Sequence, residues 1–457
     1  MNDRTDDVSV CPVAPAPAPD RQGVLAQLRG GLDSWLQLIR ASSYRAAIGS
    51  QQLPGARMLL VNHPSLVKRV LVEEAEQFPK HPYTFWMLEP LIGRAAFSVN
   101  GEEWRQQRLG VDSALAQARL QRVAPQMRAA IGACLERLEA RADGASWNVA
   151  PAMTQLTADV IVRTIFSLEL PATEAHQIEQ RFQRYQGRAA VAAVLALLGL
   201  PRPWMGRFLA THARPIRQWI GARVEERLAR PAASPDGDAH DLLDALIATK
   251  QFSTTELVDQ VCMLFLAGHE TSASALAMTL YLLSIDPEVQ EQVRAEVDPL
   301  LGEAPDGIAS LEQLRQLKLT RAVFEEALRL YPPLPFLVRE AQGDTSLAGQ
   351  RCPFKTMVSI SPWVVHRHQR YWRNPEQFDP QRFLADRANL PAGSYLPFGM
   401  GPRICPGAAF AMQEATMLLA ALVHRYRISA DAGRPPELVG RLTLRARNGV
   451  WIRLERR

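Results

Sequence analysis

Phe398-Gly399-Met400-Gly401-Pro402-Arg403-Ile404-Cys405-Pro406-Gly407 runs directly into an apolar, helix-like stretch from Ala408 to Ala420. A cysteine therefore sits in a short loop just before a helix. Glycines in that loop let the backbone approach a flat ligand closely, and prolines restrict its motion. The N-terminus of the following helix supplies amide donors and positive potential, which favour thiolate over thiol.

These are the requirements of a cysteine that ligates haem iron, where electron donation from sulfur favours O–O cleavage and hydrogen bonds to sulfur tune that donation. An inert buried cysteine is the alternative. The spacing F-x-x-G-x-R-x-C-x-G resembles the haem-binding signature of the cytochrome P450 family at every defined position. By that resemblance Cys405 is the axial metal ligand, Arg403 contacts a haem propionate and Phe398 packs beside the ligand loop, with Gly401 and Gly407 shaping it. An arginine fork would neutralise a propionate that is otherwise costly to place beside an apolar cleft.

Upstream, Ser253-x-x-Glu256 reads as a capping box, and the apolar periodicity after it runs to Asp286-Pro287. This predicts a helix of about 30 residues, ~45 Å long, able to cross a whole domain. Inside it lies Ala267-Gly268-His269-Glu270-Thr271. A mid-helix glycine costs about 1 kcal/mol relative to alanine. That cost makes sense if the backbone must open toward a bound diatomic while Glu270 and Thr271 manage protons. On its own the motif also reads as a solvated glutamate beside a threonine bonded to its own helix. It resembles the family's oxygen-activating motif, which implies catalytic roles for Ala267, Gly268, Glu270 and Thr271. His269 is given no such role, because a protein ligand there would block oxygen.

Glu326 and Arg329 share a helix face at i, i+3 spacing, and Phe378-Asp379-Pro380-Gln381-Arg382-Phe383 follows downstream. Both segments resemble the family's buried Glu/Arg/Arg cluster, so Glu326, Arg329 and Arg382 are expected to form a structural network. Gln381 stands where many members carry an acid. Trp104-x-x-x-Arg108 and Phe336-Leu337-Val338-Arg339 match family positions that hold propionates, which adds Trp104, Arg108 and Arg339 to the cofactor-binding set.

The chain has 457 residues, a formal net charge of +5 and 47% apolar residues. Length alone suggests two or three domains, whereas the resemblance, from about Trp104 to the C-terminus, implies one catalytic domain over residues 21–457. A weak net charge argues against nucleic-acid binding. Five scattered cysteines with no C-x-x-C pair argue against a disulfide framework or zinc cluster and fit a reducing cytoplasm. Residues 1–20, with their Pro/Ala tract, are expected to be disordered. The longest apolar run, Ala189 to Leu200, is too short to span a bilayer, so no transmembrane anchor is expected. It reads as a buried helix end or as a mobile apolar lid or membrane-touching segment.

Helical spacing dominates from Gln22 to about Arg230, apart from a β-like piece at Ala56 to Val61, and a polar surface loop is expected at Pro231 to Asp241. A second box, Ser310-x-x-Gln313, opens a helical region that stops at Tyr331-Pro332-Pro333. Strand character then appears at Met357 to Ile360 and from Leu442 to Leu454, where Asn448-Gly449 suggests a hairpin turn. The fold class is thus mainly α with small β-sheets. The resemblance places haem between the long central helix and the cysteine-ligand loop.

What the resemblance implies is a haem-thiolate monooxygenase that inserts one atom of O2 into a lipophilic substrate by hydroxylation or epoxidation, the other leaving as water. Its cofactor would be haem b (heme b, iron protoporphyrin IX). Electrons from NAD(P)H would arrive indirectly, through a separate ferredoxin and ferredoxin reductase or a flavodoxin-type donor, with Arg105, Arg119 and Arg122 as part of a basic docking face. Substrate contacts are expected around Tyr83 to Leu88, including Phe85 and Trp86, and at Ala189 to Pro201, Leu264, Phe265 and Ala267. Leu334 to Val338, including Leu337 and Val338, and Leu438 to Leu442 complete the set. A peroxide-driven or isomerising haem-thiolate enzyme, and a non-catalytic haem-binding sensor or carrier, are the alternatives.

Overall fold

The computed structural model describes residues 11–20, 30–31, 33–53, 56–82, 85–169, 172–197, 201–229, 240–302, 306–385 and 389–457. The capping box at Ser253 is formed: the Ser253 amide donates to Glu256 Oε2 (2.8 Å) while Glu256 N–H donates back to Ser253 Oγ (3.4 Å). From it rises a helix of 32 residues, Thr254–Ile285. This central helix is buried on nearly every side, from Leu257 and Val261 through Phe265 to Leu276 and Leu283. Among the described residues it alone is long and apolar enough to cross a membrane, and 61% of its most apolar window is buried within the protein.

Around the central helix, labelled α5 below, pack α1 (Gly101–Ala114), α2 (Ala150–Phe166), α3 (Ala172–Leu197), α4 (Arg202–Ala229), α6 (Lys318–Leu330) and α7 (Ala408–Arg425). One apolar cluster runs through them from Leu36 to Leu454, so the helices share a core instead of dividing into the two or three domains that length suggests. A second cluster, including Leu59, Val61, Val358 and Ile360, lies under a four-stranded sheet. That sheet has the order β1 (Ile48–Leu53), β2 (Ala56–Val61), β4 (Met357–Ile360), β3 (Leu337–Glu340). Its β2–β4 pair is parallel and the others antiparallel. The chain running beside it bridges Lys80 to Arg339, which sets two cations side by side.

Three expectations change. Asn448-Gly449 does form a turn, with Gly449 at φ 84°, but its flanking strands do not pair. Leu444–Ala446 pairs with Leu438–Gly440, whereas Trp451–Arg456 pairs with Tyr426–Ala430 and Trp147–Asn148. The turn therefore carries the chain from one sheet to another. The box at Ser310 starts only a single turn, Leu311–Leu314, before α6 begins at Lys318. Finally, residues 11–20 are laid on the body. Tyr331 Oη donates to Val13 O at 2.9 Å and Ala18 N–H donates to Ile39 O at 2.8 Å, so buried tyrosine and backbone groups supply partners that composition alone does not reveal. Residues 1–10 and most of the polar loop, 231–239, lie outside the described residues.

Candidate active site

The cysteine loop is held by its own backbone. Cys405 N–H donates to Phe398 O at 2.8 Å, and Gly399 and Gly401 take φ of 76° and 73°, a region that favours glycine. A Cβ on Gly401 would overlap the Leu71 carbonyl, so this glycine also lets the loop lie against the neighbouring turn. Gly407 caps α7, and Phe398 packs on the main core beside the loop. The Cys405 thiol is accessible yet lies deep in the protein, so its open side faces an internal cleft. Burial pushes its pKa up. The Gly407 amide and the cations Arg108 and Lys80 oppose that rise.

Four cations converge near this thiol. Arg403 donates to Val99 O (3.0 Å) and Asn100 Oδ1 (2.8 Å) and stacks 3.8 Å above the Trp104 ring. Trp104 thus serves as the platform for an arginine. Lys80 donates to Phe97 O at 3.0 Å. Arg339 donates to its neighbour's carbonyl, Val338 O, and is buried. Arg108 alone of the four has a carboxylate, Asp112 at 2.7 Å, and it also donates to Ile404 O next to the cysteine. Burial, reinforced by Arg339 and Arg108, lowers Arg403 to about 9. Arg339 falls to about 10 through burial, and Lys80 lies well below its ordinary value through burial and the three arginines. Buried cations without acids are expensive, and they call for an anionic partner. A group with two carboxylates and a metal open to a thiolate satisfies the whole set, and haem is such a group. Lys80 has no counterpart in the sequence reading: it lies far along the chain from the cysteine loop, and only the bridge to Arg339 delivers it.

Glu326 has no exposed side-chain surface. Arg329 donates to both its oxygens, at 2.6 and 2.8 Å, and Arg382 Nε donates to Oε1 at 3.3 Å. The other Arg329 nitrogen protons reach the carbonyls of His366, Pro375 and Gln377. His366, also unanticipated from sequence, continues the chain of contacts. Its Nε2 accepts from Leu396 N–H at 2.9 Å, two residues before Phe398. Burial, with Arg329 and Arg367 nearby, holds it at about 3, so the ring is neutral and able to accept. The network therefore links α6 to the start of the cysteine loop.

On the central helix, Ala267, Glu270 and Thr271 line a cavity of about 260 Å³ together with Met87, Leu88, Phe97, Tyr185, Met263 and Leu442. Thr271 Oγ1 donates back to the Ala267 carbonyl. Glu270 is fastened by Thr443 Oγ1 (2.7 Å), Arg445 Nη2 (2.5 Å) and Gln186 Nε2, groups from α3 and the C-terminal strands that the motif itself does not announce. Gly268 faces elsewhere. A Cβ there would overlap Ile161 of α2, so its smallness serves a close helix crossing. His269 turns toward the same side, buried against Phe182 and Phe265, and burial lowers it to about 4.

Of the expected substrate contacts, Met87, Leu88, Ala189, Ala267, Leu334, Val439 and Leu442 line this cavity, whereas Phe85, Trp86, Leu264, Phe265, Leu337 and Val338 do not. Phe265 stacks on Phe182 at 4.6 Å between α5 and α3, on the helix side away from Ala267 and Thr271. Leu264 is buried in the main core, Leu337 packs under the sheet, and Val338 contributes a carbonyl to Arg339. Phe85 sets its edge on Phe97, and Trp86 packs on the core. Residues close together in the chain divide in this way because helix and strand periodicity turns adjacent side chains to different faces. Tyr83, Thr84 and residues 198–200 lie outside the described residues, as does the side chain of Arg119. Arg105 pairs with Glu102 (2.9 Å) and Glu76, which removes it from a purely basic face.

The cytochrome P450 family profile matches residues 40–450, and the chain belongs to that family as a P450 monooxygenase. The family's cofactor is haem bound through a cysteine thiolate, and its co-substrate is O2. Among relatives, cyclooctatin synthase of Streptomyces melanosporofaciens is 35% identical over 81% of this chain and 80% of its own length. Cyclooctat-9-en-7-ol 5-monooxygenase of the same organism is 31% identical over 87% and 86%. Pentalenene oxygenase of Streptomyces avermitilis is 30% identical over 81% of each chain.

Proposed function

We propose that the chain hydroxylates or epoxidises a lipophilic terpenoid, drawing electrons from a separate ferredoxin and its reductase, or a flavodoxin-type donor, supplied by NAD(P)H. The observation that carries this reading is the pairing of a largely apolar cavity under Ala267, Glu270 and Thr271 with an acid-poor cation cluster beside Cys405. The names of the relatives support the substrate class. At about 260 Å³ the cavity lies just below the range for small-molecule pockets, ~300 Å³ and up, as suits a compact apolar ligand.

Haem, when bound, supplies the oxygen activation and the one-electron chemistry. Cys405 would hold its iron, with the Gly407 amide and the start of α7 stabilising the thiolate. Lys80, Arg108, Arg339 and Arg403 would hold its propionates. Glu270, bonded to the exposed Arg445, stands between solvent and the cavity. Its carboxylate is the group that would take a proton from solvent and offer it to Thr271 Oγ1, while the apolar lining excludes bulk water. We place the protein in the cytoplasm, in keeping with its unpaired cysteines.

The test is the spectrum of the dithionite-reduced protein under carbon monoxide beside Cys405→Ala, followed by turnover of cyclic terpenes with surrogate ferredoxin, reductase and NADPH. A strongly red-shifted Soret band lost in the variant, with oxygenated product, is the expected result. Haem binding without turnover across a broad panel would turn the reading to a carrier or sensor.

A further inference from the structure

One wall of the cavity comes from outside the region shared with the family, which begins at residue 40. Gly31 and Trp35 line the cavity together with Leu334, Val439 and Leu442. Trp35 opens a single helical turn, Trp35–Leu38, in which adjacent side chains point to different sides. Leu36, and Ile39 just after the turn, are 3% exposed and belong to the main apolar core. They anchor the turn. Trp35 is half-buried, lies on the cavity, and sets its ring 6.2 Å from that of Phe336, two residues after Leu334.

Hydrogen bonds fix this wall from both ends. Ser34 is buried, and its Oγ accepts from Gly440 N–H at 3.0 Å and donates to Gly440 O at 3.4 Å. Gly440 lies so close that a Cβ there would come within 2.7 Å of Leu36 Cγ. Arg441 Nε donates to Asp33 O at 3.2 Å, and Arg447 pairs with the Asp33 carboxylate. Residues 33–36 are thereby stapled to the strand Leu438–Gly440, whose Val439 lines the same cavity. At the other end, Ala41 N–H donates to Ala18 O and Ser42 N–H to Asp20 Oδ1, both at 3.0 Å. Val13 N–H donates to Tyr281 Oη at 3.4 Å, opposite the bond that its carbonyl receives from Tyr331. A tryptophan that merely covered the core would need no such staple to a cavity strand.

We propose that Trp35 is a specificity-determining residue, the stop against which the unreacting part of the substrate packs. Its size then sets how long a lipophile the cavity accepts, while Ala267, Glu270 and Thr271 of the central helix face the reacting part. The proposal rests on the cavity being the substrate site, as the proposed function has it.

The experiment titrates the haem-loaded protein with 1-alkylimidazoles from 1-methyl to 1-dodecyl, whose ring nitrogen ligates the iron and shifts the Soret band. Wild type is compared with Trp35→Ala, Trp35→Phe and Leu442→Phe, each first checked by its carbon monoxide spectrum. 1-Methylimidazole, too short to reach the wall, should bind alike in all four. In wild type, affinity should rise with chain length up to a limit. Trp35→Ala should move that limit to longer chains, the longest gaining about tenfold or more over wild type. Trp35→Phe should fall between the two, and Leu442→Phe should move the limit to shorter chains. If Leu442→Phe moves the limit and Trp35→Ala does not, Trp35 is a packing residue only; the proposal is overturned and the cavity stands as the substrate site. If neither variant moves it, the cavity is not that site, and both readings are overturned. Should Trp35→Ala not load haem, Trp35→Phe carries the comparison, and an unmoved limit there overturns the proposal.

Discussion

Replacing Glu414 by glutamine should flatten the pH dependence of stability on the alkaline side. Glu414 lies on α7, 1% exposed, with Oε1 lacking a partner among the described residues and the Ser272 hydroxyl of the central helix beside the carboxyl. Burial pushes its pKa from 4.5 to about 8, and the Ser272 bond offsets only part of that rise. At neutral pH the folded protein therefore holds a proton that the unfolded chain has lost. Stability falls by about 1.4 kcal/mol per pH unit wherever the folded state binds one more proton than the unfolded state. For Glu414 that window runs from 4.5 up to about 8, so the contribution is complete on the acid side and lost as pH rises through the window. Between roughly pH 5.5 and pH 9 the wild type should lose about 3 kcal/mol relative to Glu414→Gln, which keeps the shape and has no proton to lose. Urea unfolding of the haem-loaded proteins, followed by tryptophan fluorescence at both pH values, measures the gap. A gap that stays constant with pH would mean the carboxylate is already ionised in the native protein, and the argument from burial would fail.

Lys80→Met should weaken retention of haem and lower its reduction potential by removing a cation from the propionate set; unchanged haem dissociation and potential would remove Lys80 from that set. Glu326→Gln leaves Arg329 buried without a full counter-charge, at a cost of about 3–5 kcal/mol, and should reduce the yield of haem-loaded protein; a variant as stable as wild type by urea unfolding would contradict this. Gly268→Ala should destabilise by about 1–3 kcal/mol through overlap with Ile161, and Ile161→Val should restore much of that loss. If the alanine variant were fully stable and only uncoupled electron flow from product, a role at the oxygen site would be favoured over packing. Arg445→Ala should loosen Glu270 and alter the solvent isotope effect on turnover while leaving stability close to wild type, because the arginine is half-exposed and Thr443 and Gln186 still bond the carboxylate; an unchanged isotope effect would show that the pair does not restrain proton delivery.

Local signals carried much of this protein. Ser253 and Glu256 announce the start of the central helix because a capping box involves residues only three apart, and Ala56–Val61 and Met357–Ile360 carry the β-branched and apolar character of strands. The cysteine loop was legible for the same reason: its glycines, its cysteine and its helix start lie within ten residues. Glu326 and Arg329 meet because a helix sets i and i+3 on one face. Tertiary structure alone decided which groups surround these motifs. Lys80 reaches Arg339 across a bridge between distant segments, His366 connects Arg329 to Leu396, and Glu270 finds Arg445, because each contact depends on packing of elements far apart in the chain. The same packing overruled one local reading and gave another residue a neighbour its motif does not announce. Asn448-Gly449 passes the chain between sheets, and Gly268 meets Ile161, since a residue's neighbours across a strand ladder or a helix crossing are set by the whole fold and not by its own sequence.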